Sequence, residues 1–409
     1  MKQPSTMLRG IIKLILFIAV VSLIPLSAKT SRAQSSLAEF QRLLREKESF
    51  SDADLAKLQE GQTVVKVRPA QDKREVAVSG LVGLQVPADV FLKSYRESVS
   101  RKSSSAILEI GRFSNQPVLE DLKDLTFEDR DIEDLKTCVV GNCRLKLSAT
   151  MIERLHRELD WNAPDYANRA SELLKVMLLD YVREYLARGD LALIEYSDKA
   201  RTVRLADEHR ALKAGSSYLH ENFMSAHLKG LHESKLQVEN VLVWSKIKFG
   251  LKPVLAINHI TIYQNQKEAG PQVLVTSKQI YANHYFDSSL ALTAFVNIPG
   301  ANPQSYLFYE NRSRADGLGG MFGKIKRGLV EDRAVQGLKA ILEQSRSNLN
   351  ASLSGEPESA ASVDSQPGWK RWKGASVRLL SWLLLITTFF ALLAFSNYYW
   401  KGTIRRGTS

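Results

Sequence analysis

The chain has 409 residues, of which 44% are hydrophobic and 24% charged, and its 56 Lys and Arg residues outnumber its 44 Asp and Glu residues. This globular composition excludes a wholly disordered chain, a collagen-like repeat and a polytopic membrane protein. The formal net charge of +12 suggests a nucleic-acid partner only if the charge lies on the main domain. Residues 1–33 and 369–409 hold the whole excess, without a single acid, so we expect no nucleic-acid binding.

The N-terminus has the layout of a secretory signal peptide over residues 1–33. A basic start precedes an apolar run from Leu14 to Leu26, and small residues follow at Ala28 and Ala33. This order is typical of a cleaved signal, and an uncleaved signal anchor is the alternative. The signal predicts that the main domain lies outside the cytoplasm.

Local patterns predict a mixed start to the main domain. Residues 34–62 form a helical segment with apolar side chains on one face. Residues 120–134 are acidic but lack the alternating Asp and Asn ligands and the central glycine of a calcium loop, so we interpret them as a solvated face. Strands are predicted over 63–68, 74–86 and 105–112, and a helix begins after Pro87.

The two cysteines, Cys138 and Cys143, flank a Gly141-Asn142 turn signal. A four-residue loop between two strands would bring their side chains within reach of a disulfide, and an exported domain permits that bond. Two reduced, half-buried cysteines are the alternative. A metal site is not expected, because no second pair of Cys or His has the required spacing.

From residue 240 the hydrophobic pattern changes from helical spacing to alternation. Residues 149–235 are predicted to be mainly helical, and Gly189 ends one long helix. Five strands with short, turn-like connections follow, which indicates an antiparallel meander. A last helix is predicted over 322–347, and the Ser-rich residues 351–370 form a flexible linker.

Residues 379–396 form an uncharged apolar run of 18 residues. At about 1.5 Å per residue, a helix of this length spans roughly 27 Å, close to the hydrocarbon thickness of a bilayer. Tryptophan and tyrosine residues flank both ends, as in the aromatic belts of membrane proteins. We therefore predict a single-pass membrane protein with one C-terminal transmembrane helix, a basic cytoplasmic tail over 397–409, and the main domain on the extracytoplasmic side.

Two histidines in predicted strands, His259 and His284, are candidate ligand-binding residues together with Tyr263 and Tyr281. Alternation along the strand puts His259 and Tyr263 on one face, and a satisfied, half-buried histidine is the alternative. The other histidines lack the His-Glu-x-x-His spacing of a zinc site. We expect no metal and no cofactor, and we assign no catalytic residue.

A glycine-rich run precedes the last predicted helix. Backbone N–H groups at such a helix start can hold an anion, and Lys324, Lys326 and Arg327 add positive charge. The run fails as a Walker A motif because Leu318 replaces its first glycine. Two interpretations stay open: an anion or lipid head-group site, and a tight passage from strand to helix.

Three features follow one another along the main domain: a strand leading into Val-Pro-Ala-Asp-Val-Phe at 86–91, the meander, and the closing helix. This order resembles the helix-grip fold of the START-like, or polyketide-cyclase-like, superfamily. The resemblance implies an α+β fold over 63–350, an antiparallel meander wrapped on a long C-terminal helix, with 149–235 as a helical insertion. It also implies a ligand between sheet and helix. We accordingly predict an exported, membrane-anchored domain that binds a membrane lipid or a hydrophobic small molecule.

Two other functions stay open. An enzyme on the same scaffold would use His259 or His284 as general base, and clustering with Asp287 or Asp316 in one cleft would favour it. The sequence carries no hydrolase elbow, which favours a binding role. A structural or interaction protein of the cell envelope is the third function, and a large exposed apolar patch on 149–235 would favour it.

Overall fold

In the computed structural model the protein is an α+β structure built on one large antiparallel sheet, which confirms the predicted class. The predicted signal peptide, transmembrane helix and basic tail lie outside the described residues, as does nearly all of the linker. None of the described helices combines the length and the apolar character that crossing a membrane requires. The structure describes residues 37–99, 106–216, 236–248, 252–265, 272–298, 305–318 and 323–351.

The described chain begins with two short helices, α1 (37–46) and α2 (Asp52–Gln59). Helix α2 begins at this point because Ser51 and Asp54 form a capping box. The Ser51 hydroxyl accepts from the Asp54 backbone N–H at 3.2 Å, and the Asp54 carboxylate accepts from the Ser51 N–H at 2.9 Å. The helical pattern predicted near residues 34–62 is therefore present as two helices joined by a short break.

Eight of the ten strands within the described residues form the large sheet, in the order β1-β2-β10-β9-β8-β7-β6-β3 with antiparallel neighbours. Strands β6 to β10 follow one another in the chain and in the sheet, so they form the predicted meander. The strands are β1 (Val64–Val67), β2 (Glu75–Leu84), β3 (Ile107–Arg112), β4 (Glu195–Tyr196), β5 (Val203–Arg204), β6 (Leu236–Ile247), β7 (Val254–Asn265), β8 (Val273–Ala282), β9 (Phe286–Asn297) and β10 (Ser305–Ala315).

Two helices pack on the face of the sheet that we call the inner face, α3 and the long α8. The helices after α2 are α3 (Ala88–Val99), α4 (Asp129–Leu135), α5 (Ala149–Glu158), α6 (Tyr166–Arg188), α7 (Leu205–Ala214) and α8 (Gly323–Ala351). Leu342 of α8 lies so close to Gly80 of β2 that a Cβ on this glycine would stand 2.5 Å from the leucine Cδ1. Phe91 of α3 stacks on Phe295 of β9 with ring centroids 5.0 Å apart. Sheet, α3 and α8 therefore share one apolar core.

The opposite, outer face of the sheet is covered by α1 and α2 at one end and by the chain between β3 and β6 at the other. The Tyr181 hydroxyl of α6 donates to the Ile280 carbonyl at 2.6 Å. The Trp244 indole of β6 donates to the Asp121 carbonyl at 2.8 Å. These bonds attach the helical region to the strands that it covers, so both faces of the sheet are buried.

Cys138 and Cys143 form a disulfide, as the turn signal between them suggested. The predicted flanking strands are reduced to an isolated bridge between Val139 and Asn142. The loop instead pairs with a distant segment, because the Gly141 N–H donates to the Ser197 carbonyl at 2.8 Å. Backbone partners from outside the loop thus replace the expected hairpin.

Candidate functional site

A row of polar side chains crosses the inner face of the sheet. Asn258 of β7 pairs with Gln279 of β8, and Ser289 of β9 pairs with Ser313 of β10. Gln279 directly follows Lys278, the last residue of β8 that pairs with β9. The row of polar side chains therefore passes from β8 to β9 at this point. We call this row, with the neighbours Ser277 and Asn311, the polar stripe. Its six members are Asn258, Ser277, Gln279, Ser289, Asn311 and Ser313.

The polar stripe is buried, and half of it lacks hydrogen-bond partners. Each member exposes 5% or less of its surface. Among the residues that the structure describes, no partner exists for Asn258 Oδ1, for Ser277 Oγ, or for either polar atom of the Gln279 side chain. A buried polar atom without a partner costs about 1–3 kcal/mol. A bound molecule or ordered water would supply the missing partners.

The other half of the polar stripe is internally bonded. The Ser289 and Ser313 hydroxyls lie 2.8 Å apart. The Asn311 side chain donates to Ser289 at 3.2 Å and accepts from Ser313 at 2.8 Å. This cluster satisfies itself and lies beside the unpartnered atoms of Asn258, Ser277 and Gln279.

The surroundings of the polar stripe are apolar. Val243, Ile260, Val275 and Leu307 belong to the same inner core and are buried. Apolar side chains around a few convergent polar groups are the usual composition of a small-molecule site. The sequence did contain a signal for the polar stripe. Asn258 directly precedes His259 in the same strand, so alternation places the polar side chain of Asn258 on the opposite face of the sheet from His259.

The structure places three of the predicted ligand-binding residues on the outer face and does not bring all four together. His259 Nδ1 lies 2.8 Å from the Tyr185 hydroxyl, and burial lowers the pKa of this histidine to about 4. Tyr281 is buried under the helical region, and Tyr263 belongs to the cluster under α1 and α2. His284 lies apart from them, at the turn between β8 and β9.

His284 lines a cavity of about 670 Å³ at this end of the sheet. We call it the charged cleft, because acidic and basic side chains line it in equal number. The acidic segment that the sequence suggested to be a solvated face contributes Asp131, which is 1% exposed. Members used below are Asp131, Lys146, Asp198, Lys252, His284 and Asp316.

His284 and Asp131 form a hydrogen-bonded pair in the charged cleft, with Nε2 and Oδ2 2.8 Å apart. Lys252 Nζ holds the other oxygen of Asp131 at 2.6 Å. Burial would raise the pKa of Asp131, but the bonds and charges of His284 and Lys252 together hold it below its ordinary value. Tyr285 has a φ of 58°, a left-handed conformation that is unfavourable for an aromatic residue and typical of functional turns.

A second charged group surrounds Lys146, which is almost fully buried. Its Nζ lies 2.9 Å from Asp287, 3.1 Å from Asp316 and 4.0 Å from Asp198. Burial, with the neighbouring Asp316, raises the pKa of Asp287 to about 6, while hydrogen bonds and the charges of Lys146 and Lys199 outweigh burial and lower the pKa of Asp316 to about 2. Between about pH 2 and 6, Asp287 is therefore the protonated carboxyl of the pair and Asp316 the ionised one.

The predicted head-group residues are only partly described. Arg327 donates from Nε to Glu331 at 2.7 Å, so its charge already has a partner. The side chains of Lys324 and Lys326 lie outside the described set. In the part of the chain that the structure describes, no group of three or more His, Cys, Asp or Glu side chains is arranged to hold a metal ion. Comparison with protein-family models, curated proteins and solved structures finds no match for this chain.

Proposed function

We propose that the protein is a binding domain for a hydrophobic or lipid-like molecule that lies on the inner face of the sheet. The unpartnered atoms of Asn258, Ser277 and Gln279 support this proposal most directly, because they are buried among apolar side chains and need an external partner. A ligand with an apolar body and one polar group would meet both requirements.

The same proposal includes a helix-grip architecture for the main domain, with α8 as the closing helix. It is supported by the meander β6–β10, by the apolar core shared between sheet, α3 and α8, and by the insertion of α4–α7 between β3 and β6. We also propose that the domain is exported and anchored by 379–396, from the sequence of the two chain ends. An anchored domain would lie next to the membrane, from which it could take up a lipid.

The binding proposal is tested on the full-length chain, purified in detergent and extracted with organic solvent for mass spectrometry. We expect one co-purifying molecule per wild-type chain and at least a tenfold lower amount with Gln279→Met, which has a similar shape but no amide. Thr276→Val changes the opposite face of the same strand and should retain the molecule. Equal amounts in both variants, or no molecule in the wild type, would contradict the proposal.

A second candidate function, acid–base catalysis, is favoured by the His284–Asp131 pair. An ionised Asp131 accepts from Nε2–H, which leaves the lone pair of Nδ1 free to take a proton. No hydrogen-bond partner of Nδ1 occurs among the described residues. His284 and Asp316 line one cleft, the arrangement that would favour an enzyme, whereas His259 lies elsewhere.

Hydrolysis of short p-nitrophenyl esters by the full-length chain tests this second function. With His284 as the base that takes a proton from water, His284→Gln should lower the rate at least a hundredfold. His259→Gln is the matched control and should leave the rate unchanged. An absent wild-type rate, or equal rates in the two variants, would remove catalysis from consideration.

A further inference from the structure

We infer that the molecule bound at the polar stripe is uncharged and donates hydrogen bonds there, as the hydroxyl of a diacylglycerol or the amide of a long-chain amide would. This inference rests on the proposed binding function and specifies its ligand class. It excludes fatty acids and lipids with an anionic phosphate from this position.

The hydrogen-bonding capacity of the free atoms supports this choice. Asn258 Oδ1 and Gln279 Oε1 are carbonyl oxygens and can only accept, while Gln279 Nε2 can only donate. The Ser277 hydroxyl can do either. An ionised carboxylate or a phosphodiester has no donor of its own, so it could accept from Gln279 Nε2 but could not itself partner either carbonyl oxygen. A hydroxyl or an N–H group on the ligand would donate to one of them, and the Ser277 hydroxyl can donate to the other.

The charges around the polar stripe also favour an uncharged ligand. Across the described strands β7 to β10, the positions that share the inner face with the polar stripe carry no Glu, Lys, Arg or His, and Asp287, at the register shift of β9, is paired with Arg74 and Lys146. The cations of these strands occupy the outer face and are already paired, Lys278 with Asp190 and Arg314 with Glu75. A buried anion without a countercharge is strongly disfavoured.

An anionic ligand would therefore need a countercharge from basic residues of α8. Arg327 is engaged by Glu331, so it is a poor countercharge for a ligand. If the protein preferred an anionic ligand, Lys324 and Lys326 would be the residues expected to bind it. The experiment below distinguishes a preference for an anionic ligand from a preference for an uncharged one.

The experiment uses the full-length chain in detergent with dioleoylglycerol and dioleoylphosphatidic acid, which share their acyl chains and differ by the phosphate. Native mass spectrometry with an equimolar mixture should show at least a tenfold preference for dioleoylglycerol. Hexadecanol should likewise be preferred over hexadecanoate at pH 8. We expect Gln279→Met and the milder Ser277→Ala to lose this preference, and Thr276→Val to keep it.

The outcomes separate the ligand class from the binding function. Equal or tighter binding of phosphatidic acid and hexadecanoate, unaffected by Ser277→Ala, overturns the uncharged ligand and leaves a lipid-binding domain. Binding of none of the four molecules by the folded wild-type chain overturns the inference and counts against the proposed function as well. Circular dichroism of each variant establishes that it is folded, and Ser277→Ala replaces Gln279→Met if the latter does not fold.

Discussion

At the scale of single residues, two clusters of buried polar groups differ in how fully they are hydrogen-bonded. Those of the charged cleft are supplied with partners by the chain itself, as Lys146 is by three carboxylates. Those of the polar stripe around Gln279 are supplied only in part. A self-sufficient cluster stabilises the fold, whereas an incomplete one requires something from outside. This contrast is why we assign ligand binding to the stripe first.

The pH dependence of stability tests the pKa values assigned to the two aspartates beside Lys146, Asp287 and Asp316. The pKa of Asp287 is raised to about 6, above the value of about 3.9 expected in the unfolded chain. Between pH 4 and 6 the folded state keeps a proton that the unfolded state has lost, so this group's contribution falls as pH rises. Asp287→Asn stays neutral at every pH and should gain about 1–3 kcal/mol of unfolding free energy relative to wild type between pH 4 and 7.

Urea unfolding at several pH values measures this effect, and Asp316→Asn is the matched control. The pKa of Asp316 is lowered to about 2, so its contribution is present above pH 4 and is lost as pH falls through 2. The Asp316 variant should therefore lose stability at pH 7. Parallel stability curves for wild type and Asp287→Asn would show that Asp287 does not hold the proton.

At the scale of elements, hydrophobic periodicity predicted the meander and the closing helix well, because alternation and helical spacing are local properties of the chain. It could not say which face of the sheet carries the proposed binding site. His259 shares its face with the apolar Leu255 and Ile257, and this face is covered by α6, while the inner face is covered by α8. Both faces are apolar because both are buried. The alternation of side chains along a strand therefore does not show which of the two faces binds a ligand.

The edge of the sheet offers a test of packing between β3 and β6. A Cβ on Gly111 would stand 2.4 Å from the Trp244 indole, a rigid group held by its bond to the Asp121 carbonyl. Gly111→Ala should lower the unfolding free energy by about 1–3 kcal/mol and shift the tryptophan emission. Gly328→Ala on α8 meets no neighbour within 4 Å and should be neutral or slightly stabilising. Equal stability of both variants would contradict the close packing.

At the scale of the whole molecule, the net charge of +12 separates into two basic ends and a neutral middle. Charge at the two ends agrees with the proposed export signal and membrane anchor. The neutral main domain agrees with a ligand that is recognised by shape and hydrogen bonding. Its described residues form one sheet with helices on both faces, which leaves the polar stripe shielded from water.

A shortened chain tests the proposed anchor. A stop codon after Gly368 removes the 18-residue apolar run and its basic flanks. We expect the shortened chain in the soluble fraction and the full-length chain in the membrane fraction after carbonate extraction, because an apolar run of this length is needed to stay in the bilayer. Retention of the shortened chain in the membrane would contradict a C-terminal anchor and point to 1–33 instead.

The sequence by itself determined the kinds of elements, the antiparallel meander and the proximity of Cys138 and Cys143, because these depend on neighbours within a few residues. Only the tertiary structure decided where the chemistry lies. His284 meets Asp131 across 153 positions, and Lys146 meets Asp287 across 141. Hydrophobic periodicity does not predict such pairs, since they form only when the sheet and its covering helices pack together.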